Sequence, residues 1–375
     1  MKLSLQRIAH FLLAITLFFY ILWVAQSVII PLAFAILLAF MLDPLVKFWE
    51  KIGLNRLIAI IFSFLIMIVI ALMVMFLLFS QIMNIVAHSE SIKISTDQLS
   101  DLYVWIEAHF HISQAKSQAW LKENIVALSD DVANYFGMLL ASSTAFLANL
   151  IVVLTYCFLI LLYRTAFKNY LLSQFYRDKK DHVHEVLVEM QQVAQKYIYG
   201  LGLVILILGT LNTLGLWAIG IDYPYFWGFF AAFMTIIPYI GTFIGAILPI
   251  FYSIITSTSA WQPLSVMLMF LIVQQLEGNF ITPKVVGSSV KINPLAALIA
   301  MFIGWSLWGV AGVIMALPFI AIFKVMCDNI DFLNPIGKLL SSNIHRHETI
   351  FFEKYEGEEY SWGKFFKLEK KEKER

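Results

Sequence analysis

Charge is what this chain has least of: 14% of its 375 residues are Asp, Glu, Lys or Arg, where soluble proteins carry about a quarter. The 26 basic and 25 acidic residues nearly cancel, leaving a net charge of +1. That balance offers no field for a polyanion, and the tail from Lys364 to Arg375 mixes both signs, so nucleic acid is not an expected partner. Cysteine is almost missing too. Cys157 and Cys327 each fall in apolar sequence, which excludes a disulfide framework and a clustered metal site and leaves core packing as their expected role. There is no His-Glu-x-x-His, no Gly-x-Ser-x-Gly elbow, no pair of intramembrane aspartates and no Walker sequence. His182 and His184 sit two apart on a helical stretch, which does not bring both imidazoles to one face. Neither catalysis nor a cofactor is expected, and ATP-driven transport would need a separate subunit.

What fills the space is hydrocarbon. Hydrophobic residues make up 60% of the chain and the mean hydropathy is +0.80. Leu57 to Phe79 carries no charge and, at about 1.5 Å per residue, is long enough to cross a hydrocarbon layer of about 30 Å. Eight apolar segments follow from the same test: about 8–26, 28–42, 57–84, 138–163, 198–220, 225–256, 263–281 and 295–327. The expected fold is therefore all-α, a polytopic membrane helix bundle of about eight transmembrane segments, with Gly/Pro-broken helices in the C-terminal half. The first two segments meet at Gln26-Ser27 and Pro31, so they form a tight hairpin or one long kinked helix. No small-x-small cleavage site follows the first segment, which is expected to be retained.

Charges in the connecting segments orient the bundle. Lys47, Lys51 and Arg56 precede the third segment, and Arg164, Lys168, Arg177, Lys179, Lys180 and Lys196 follow the fourth. Both linkers are expected in the cytoplasm. Residues 85–137 carry Lys93, Lys116 and Lys122 against seven acids, as expected outside. With Lys2 and Arg7 at the start, an even count would put both termini in the cytoplasm. The expected organisation is N-terminal transmembrane helices over 1–84, an extracytoplasmic helical insert over 85–137, a transmembrane helix over 138–163, a cytoplasmic amphipathic linker over 164–197, a transmembrane transport core over 198–330 and a charged cytoplasmic tail over 331–375.

Two breaks interrupt the core. In MTIIPYIGTFIGAILPI, Pro238, Gly241, Gly245 and Pro249 remove donors and Cβ atoms from a helix, which must bend, unwind or re-enter. Freed carbonyls at membrane depth need a protein or water partner, and paired interrupted segments point to a transporter's binding site. Gly241-x-x-x-Gly245 also fits a plain close helix contact. The second break is QQLEGNFITPKVVGSSVKINP, with Gln274, Gln275, Glu277, Asn279, Pro283, Gly287 and Pro294. Glu277 is the only acid between Asp222 and Asp328. An intramembrane carboxylate marks a path or a partner; the other reading is a boundary cap, or a pair with Lys284 or Lys291.

Pro238-Tyr239-Ile240-Gly241 with Gly245 and Pro249, Glu277-x-Asn279-x-x-x-Pro283-x-x-x-Gly287, Pro294-Leu295 and a glycine-rich last helix with Pro318 together resemble the AI-2E family of bacterial transporters. Pro31, Asp43-Pro44 and the long insert agree in layout. The resemblance implies a multi-pass protein of the bacterial inner membrane, homo-oligomeric, that moves a small molecule or ion through the lipid bilayer. Members have been linked to export of the quorum signal autoinducer-2, and others to sodium/proton antiport. For a hydroxyl-rich cargo, Gln274, Gln275, Asn279 and Tyr239 would serve; for an exchanged cation, Glu277 is the evident titratable group. A scaffold that moves nothing is the third reading.

Overall fold

The computed structural model describes residues 5–89, 147–238, 240–257, 261–285 and 292–342. The expected insert beyond residue 89, the tail beyond 342, Tyr239, Gly287 and Lys291 lie outside the described residues. Within them the chain is an all-α, polytopic membrane bundle. Its helices are α1 (Leu5–Val24), α2 (Gln26–Lys51), α3 (Arg56–Ser89), α4 (Leu147–Ser173), α5 (Lys180–Ile219), α6 (Pro224–Met234), α7 (Ile240–Thr256), α8 (Trp261–Leu276, prolonged through Glu277–Ile281 and Thr282–Val285), α9 (Pro294–Asn329) and α10 (Asn334–Leu340). Six helical stretches are long and apolar enough to cross a membrane. Two compact units divide the chain, one of residues 1–63, 155–203 and 281–375, the other of 64–154 and 204–280.

In the first unit, Ala33 and Leu37 of α2 pack with Ala194 of α5 and Met315 of α9, flanked by Phe34, Ile198 and Phe319. Proline shapes α2. Pro44 has no N–H for the carbonyl of Phe40 four residues back, and the side chain of Gln195 donates to that oxygen at 2.8 Å. Tyr199 Oη donates to the next carbonyl, that of Met41. Gln195 of α5 thus satisfies a carbonyl that hydrocarbon would leave orphaned.

Between α1 and α2 the helical ladder runs through the junction. Ala25 N donates to Ile21 O and Ile29 N donates to Ala25 O, both at 2.9 Å, while Ala25 itself has φ −88° and ψ 16°. The ring N–H of Trp308 donates to Leu22 O at 3.0 Å, supplying a partner where the ladder opens. Of the two forms the sequence allows, this is the kinked helix, because one residue with a shifted ψ bends a helix and does not reverse it.

The last apolar segment departs from expectation in the opposite sense. Gly309 adopts φ 59°, ψ −136°, after Trp308 at φ −136°, ψ 16°, a backbone that only glycine takes readily. The chain folds back on itself there. A Cβ on Gly312 would lie 1.9 Å from Gly304 O, although eight residues separate the two, about 12 Å along a straight helix. The two arms, 294–308 and 310–329, are an antiparallel hairpin. The foot of the first arm is tied to α10: Asn293 N donates to Leu340 O at 2.8 Å, Asn293 Nδ2 donates to Leu339 O at 2.6 Å, and Asn293 Oδ1 caps the first arm by accepting from Ala296 N. Hydropathy cannot separate such a fold-back from a crossing, so the sequence read a single span.

The second unit holds a similar element. Segment 225–256 splits into α6 and α7 around a turn in which Thr235 N, Ile236 N and Ile237 N donate to Ala232 O, Phe233 O and Met234 O. Gly241 lies against Met234 O and Gly245 against Ala231. These crossed pairings make another antiparallel hairpin. α6, at 11 residues, rises about 16 Å and cannot span the membrane. At Pro238 the chain turns back on itself rather than continuing as one helix. Leu216, Ile221, Ala231, Val266 and Phe270 form the core around it, with Trp227 and Tyr252 packed alongside.

Candidate functional site

Pro238, Gly241, Gly245 and Pro249 all belong to the α6–α7 hairpin. Pro238 O accepts from Ile240 N at 2.8 Å, and Gly241 N donates to Ile237 O at 2.9 Å, so the tip is closed by tight local bonds. The glycines act as contacts: a Cβ on Gly241 would fall 1.6 Å from Met234 O. The reading of Gly241-x-x-x-Gly245 as a close helix contact is therefore met, and the contact is between the arms of one hairpin. Pro249 is fully buried within α7.

The polar group of α8 straddles a change in helix type. Glu277–Ile281 forms a π-helical turn; such turns widen the helix and are frequent at functional sites. Gln274 Nε2 donates to Glu277 Oε2 at 2.8 Å. Asn279 Nδ2 donates to both Gln275 O and Gln275 Oε1 at 3.0 Å. The four residues thus form two pairs. Gln275 and Asn279, with Leu271, Ile272, Leu276 and Phe280, line a shallow groove of about 280 Å³, and Glu277 and Gln274 are not part of it. Glu277 is half-buried, and no ion pair joins it to Lys284 among the described residues. Among those residues no hydrogen bond joins either pair to the hairpin tip. Pro283 lies in the last turn of α8 and Pro294 at the first position of α9, where a missing N–H costs nothing.

Two polar residues near this hairpin are buried without partners. Asn212 Oδ1 and Thr213 Oγ1, on α5, have no hydrogen bond, and a Cβ on Gly228 would meet Thr213 Oγ1 at 2.3 Å. Asn212 Oδ1 thus makes no link to a neighbouring helix.

A second polar constellation, in the first unit, escaped sequence reasoning. Asp43 is only 4% exposed and is held by three side chains: Arg164 Nη1 at 2.5 Å, Lys47 Nζ at 2.6 Å and Gln191 Nε2 at 2.8 Å. Arg164 also grips Glu50 through Nη2, and Glu50 takes Arg56 Nε at 3.2 Å. One arginine therefore bridges two carboxylates of α2, seven residues apart and on one face. Buried charge survives in a membrane protein only when so compensated. The signal in the sequence is Asp43, Lys47 and Glu50 recurring at one-turn spacing at the end of α2; Arg164, taken alone, is a loop charge. Beside the cluster lies a cavity of about 430 Å³ between α2, α4 and α5, bordered by Asp43, Lys47, Arg164, Lys168, His184 and Gln191 and walled by apolar side chains.

A multi-pass bundle with two glycine-built hairpins, proline-opened helices and polar groups set into apolar helices is the architecture of a membrane transporter. The chain belongs to the AI-2E family: residues 11–331 match the family described as AI-2E family transporter. YrrI of Bacillus subtilis (strain 168), provisionally named a transport protein, is 38% identical over 130 residues, 35% of this chain and 36% of that protein. YhhT of Escherichia coli (strain K12), named in the same provisional way, is 22% identical over 313 residues, 80% of this chain and 84% of its own. TqsA of Escherichia coli (strain K12), named an AI-2 transport protein, is 26% identical over 125 residues, 33% of this chain and 36% of TqsA. The matches to YrrI and TqsA thus span little more than a third of each relative's length.

Proposed function

We propose that this protein is a secondary transporter that exports a small, hydroxyl-rich solute of the autoinducer-2 kind across the bacterial inner membrane. The observation that carries the reading is the polar helix α8. It sets two amide-bearing pairs, Gln274–Glu277 and Gln275–Asn279, at a π-helical turn inside a span that is otherwise apolar. Amides and a carboxylate offer both donors and acceptors to a polyol or hydrated carbonyl, and exposed polar groups at this depth are costly unless a cargo, water or protein covers them. The AI-2 transport name of TqsA supports the same cargo class. The α6–α7 hairpin, in the same unit as α8, supplies an element of the kind that lines transporter sites. Homo-oligomeric assembly is part of the proposal, as is a cytoplasmic C-terminus. The second follows from Lys47, Lys51, Arg56, Arg164 and Lys168 meeting at one end of α2, α3 and α4, and from Asn329, at the end of α9, lying 3.4 Å from Glu189 of the following basic linker.

One observation favours a second reading, exchange of a cation for protons. Glu277 is half-buried with an amide for company and no cation among the described residues, the condition of a carboxylate free to take a proton or a metal cation. Glu277→Gln separates the two. In proteoliposomes with imposed sodium and proton gradients, an antiporter loses coupled flux with the fold intact, because an amide keeps the shape and releases no proton. An exporter of a neutral polyol loses part of its rate and its pH dependence. A variant that carries every tested solute at the wild-type rate and pH profile removes Glu277 from the path and α8 from the site.

A further inference from the structure

We infer that the cavity between α2, α4 and α5 is a binding site for an anionic phospholipid, with the phosphate on Lys47, Lys168 and His184 and the acyl chains running out along α4. The cavity is amphipathic in the manner such a ligand requires. Its mouth carries Lys47, Arg164 and Lys168 against the single carboxylate of Asp43, while Phe40, Leu161, Leu171 and Val188 furnish an apolar wall.

The cations are not equivalent. Arg164 is consumed by Asp43 and Glu50. Lys47 touches Asp43 but keeps 53% of its side chain exposed, so its remaining donors stay available. Lys168 forms no ion pair among the described residues. His184, on the opposite wall, has Nδ1 buried with no hydrogen-bond partner, a cost that a ligand oxygen would recover. Two lysines and a histidine donor around one opening are a phosphate's complement.

Position favours lipid phosphate over a soluble one. The opening lies where α2 and α4 end and α5 begins, at the end of the bundle that gathers Lys47, Lys51, Arg56, Arg164 and Lys168. Basic pockets between transmembrane helices at the cytoplasmic boundary are where anionic headgroups bind. A volume of about 430 Å³ takes a headgroup and the start of its chains; Phe167 and Leu171 lie exposed on α4 beside it, a surface for the chains to continue on. A polar cargo would find half of this cavity unsuitable.

Native mass spectrometry of the full-length protein in detergent tests the inference. With phosphatidylglycerol and phosphatidylcholine of identical chains, the expected result is selective retention of the anionic lipid. The double variant Lys47→Gln/Lys168→Gln should bind it at least tenfold more weakly, and Lys338→Gln, on α10 away from the cavity, should bind it normally. Val188→Trp fills the cavity without changing charge and should also displace the lipid, which keeps the test decisive if the lysine variant folds poorly. Inorganic phosphate at millimolar concentration should not compete. Equal retention of both lipids, unchanged binding by both variants, or displacement by phosphate alone would each overturn the assignment.

Discussion

Gly312→Ala adds one methyl group, and the structure makes it among the most damaging small changes available. The new carbon would sit 1.9 Å from Gly304 O, 2.4 Å from Gly304 C and 2.9 Å from Gly304 Cα. All three are backbone atoms, so no side chain can swing aside. Restoring an ordinary contact of about 3.4 Å requires the two arms of the α9 hairpin to part by about 1.5 Å. The arms cannot separate freely, because Gly309 fixes the tip and Asn293 ties the first arm to α10. Overpacking costs typically about 1–3 kcal/mol, and more where backbone must move, so a loss near the top of that range is expected. The control is the same substitution at Gly202 in α5, where nothing lies within 4 Å of an added Cβ. There alanine should stabilise by about 0.5–1 kcal/mol through helix propensity. Thermal unfolding in detergent, followed by the fraction remaining monodisperse after heating, ranks wild type between the two. A Gly312→Ala protein as stable as wild type would show that the arms are not in backbone contact and would remove the hairpin.

Arg164→Ala leaves Asp43 and Glu50 without their shared cation. A loss of about 3–5 kcal/mol is expected for a broken buried pair, and Asp43→Asn/Arg164→Gln should recover part of it; equal losses would refute the pairing. Gln195→Leu strips the partner from Phe40 O at a cost of about 1–3 kcal/mol, and Gln195→Leu combined with Pro44→Ala, which returns an N–H to the ladder, should cost less than Gln195→Leu alone in the same unfolding assay. Gly241→Leu drives a side chain into Met234 O and should abolish transport or assembly in proteoliposomes, where normal flux would mean that the α6–α7 tip is not tightly closed.

The fold class was legible because a membrane leaves few solutions: a long charge-free run must be a helix, and Leu57 to Phe79 needed nothing more. The interruptions were legible as interruptions. Pro238 and Gly241 announced that α6–α7 could not be one straight helix, since each removes something a continuous helix uses. What each break becomes is decided elsewhere. Gly309 looks in sequence like any glycine of an apolar helix, and only the partner glycine at 304, five residues before it, and Gly312, three after it, show that the chain reverses there. Ala25, with no proline or glycine to mark it, carries a kink that the sequence placed at Gln26-Ser27 and left undecided.

Long-range polar pairing was the least legible. Asp43 and Arg164 are separated by 121 positions, and each taken alone reads as a charge at the edge of an apolar run. The same holds for Gln195, which in the structure donates to Phe40 O, the carbonyl that Pro44 frees on α2. A proline is tolerable at depth only where another helix brings a donor to the carbonyl it orphans. Pro44 therefore implies a donor on a neighbouring helix, and Gln195, in the amphipathic stretch 164–197, supplies it. Gln275 and Asn279 satisfy one another along the helix, whereas Glu277 has one amide and spare acceptor capacity. Of the polar groups placed on that helix, Glu277 is the one whose surroundings still call for a partner, which is why its substitution discriminates between a path and a boundary.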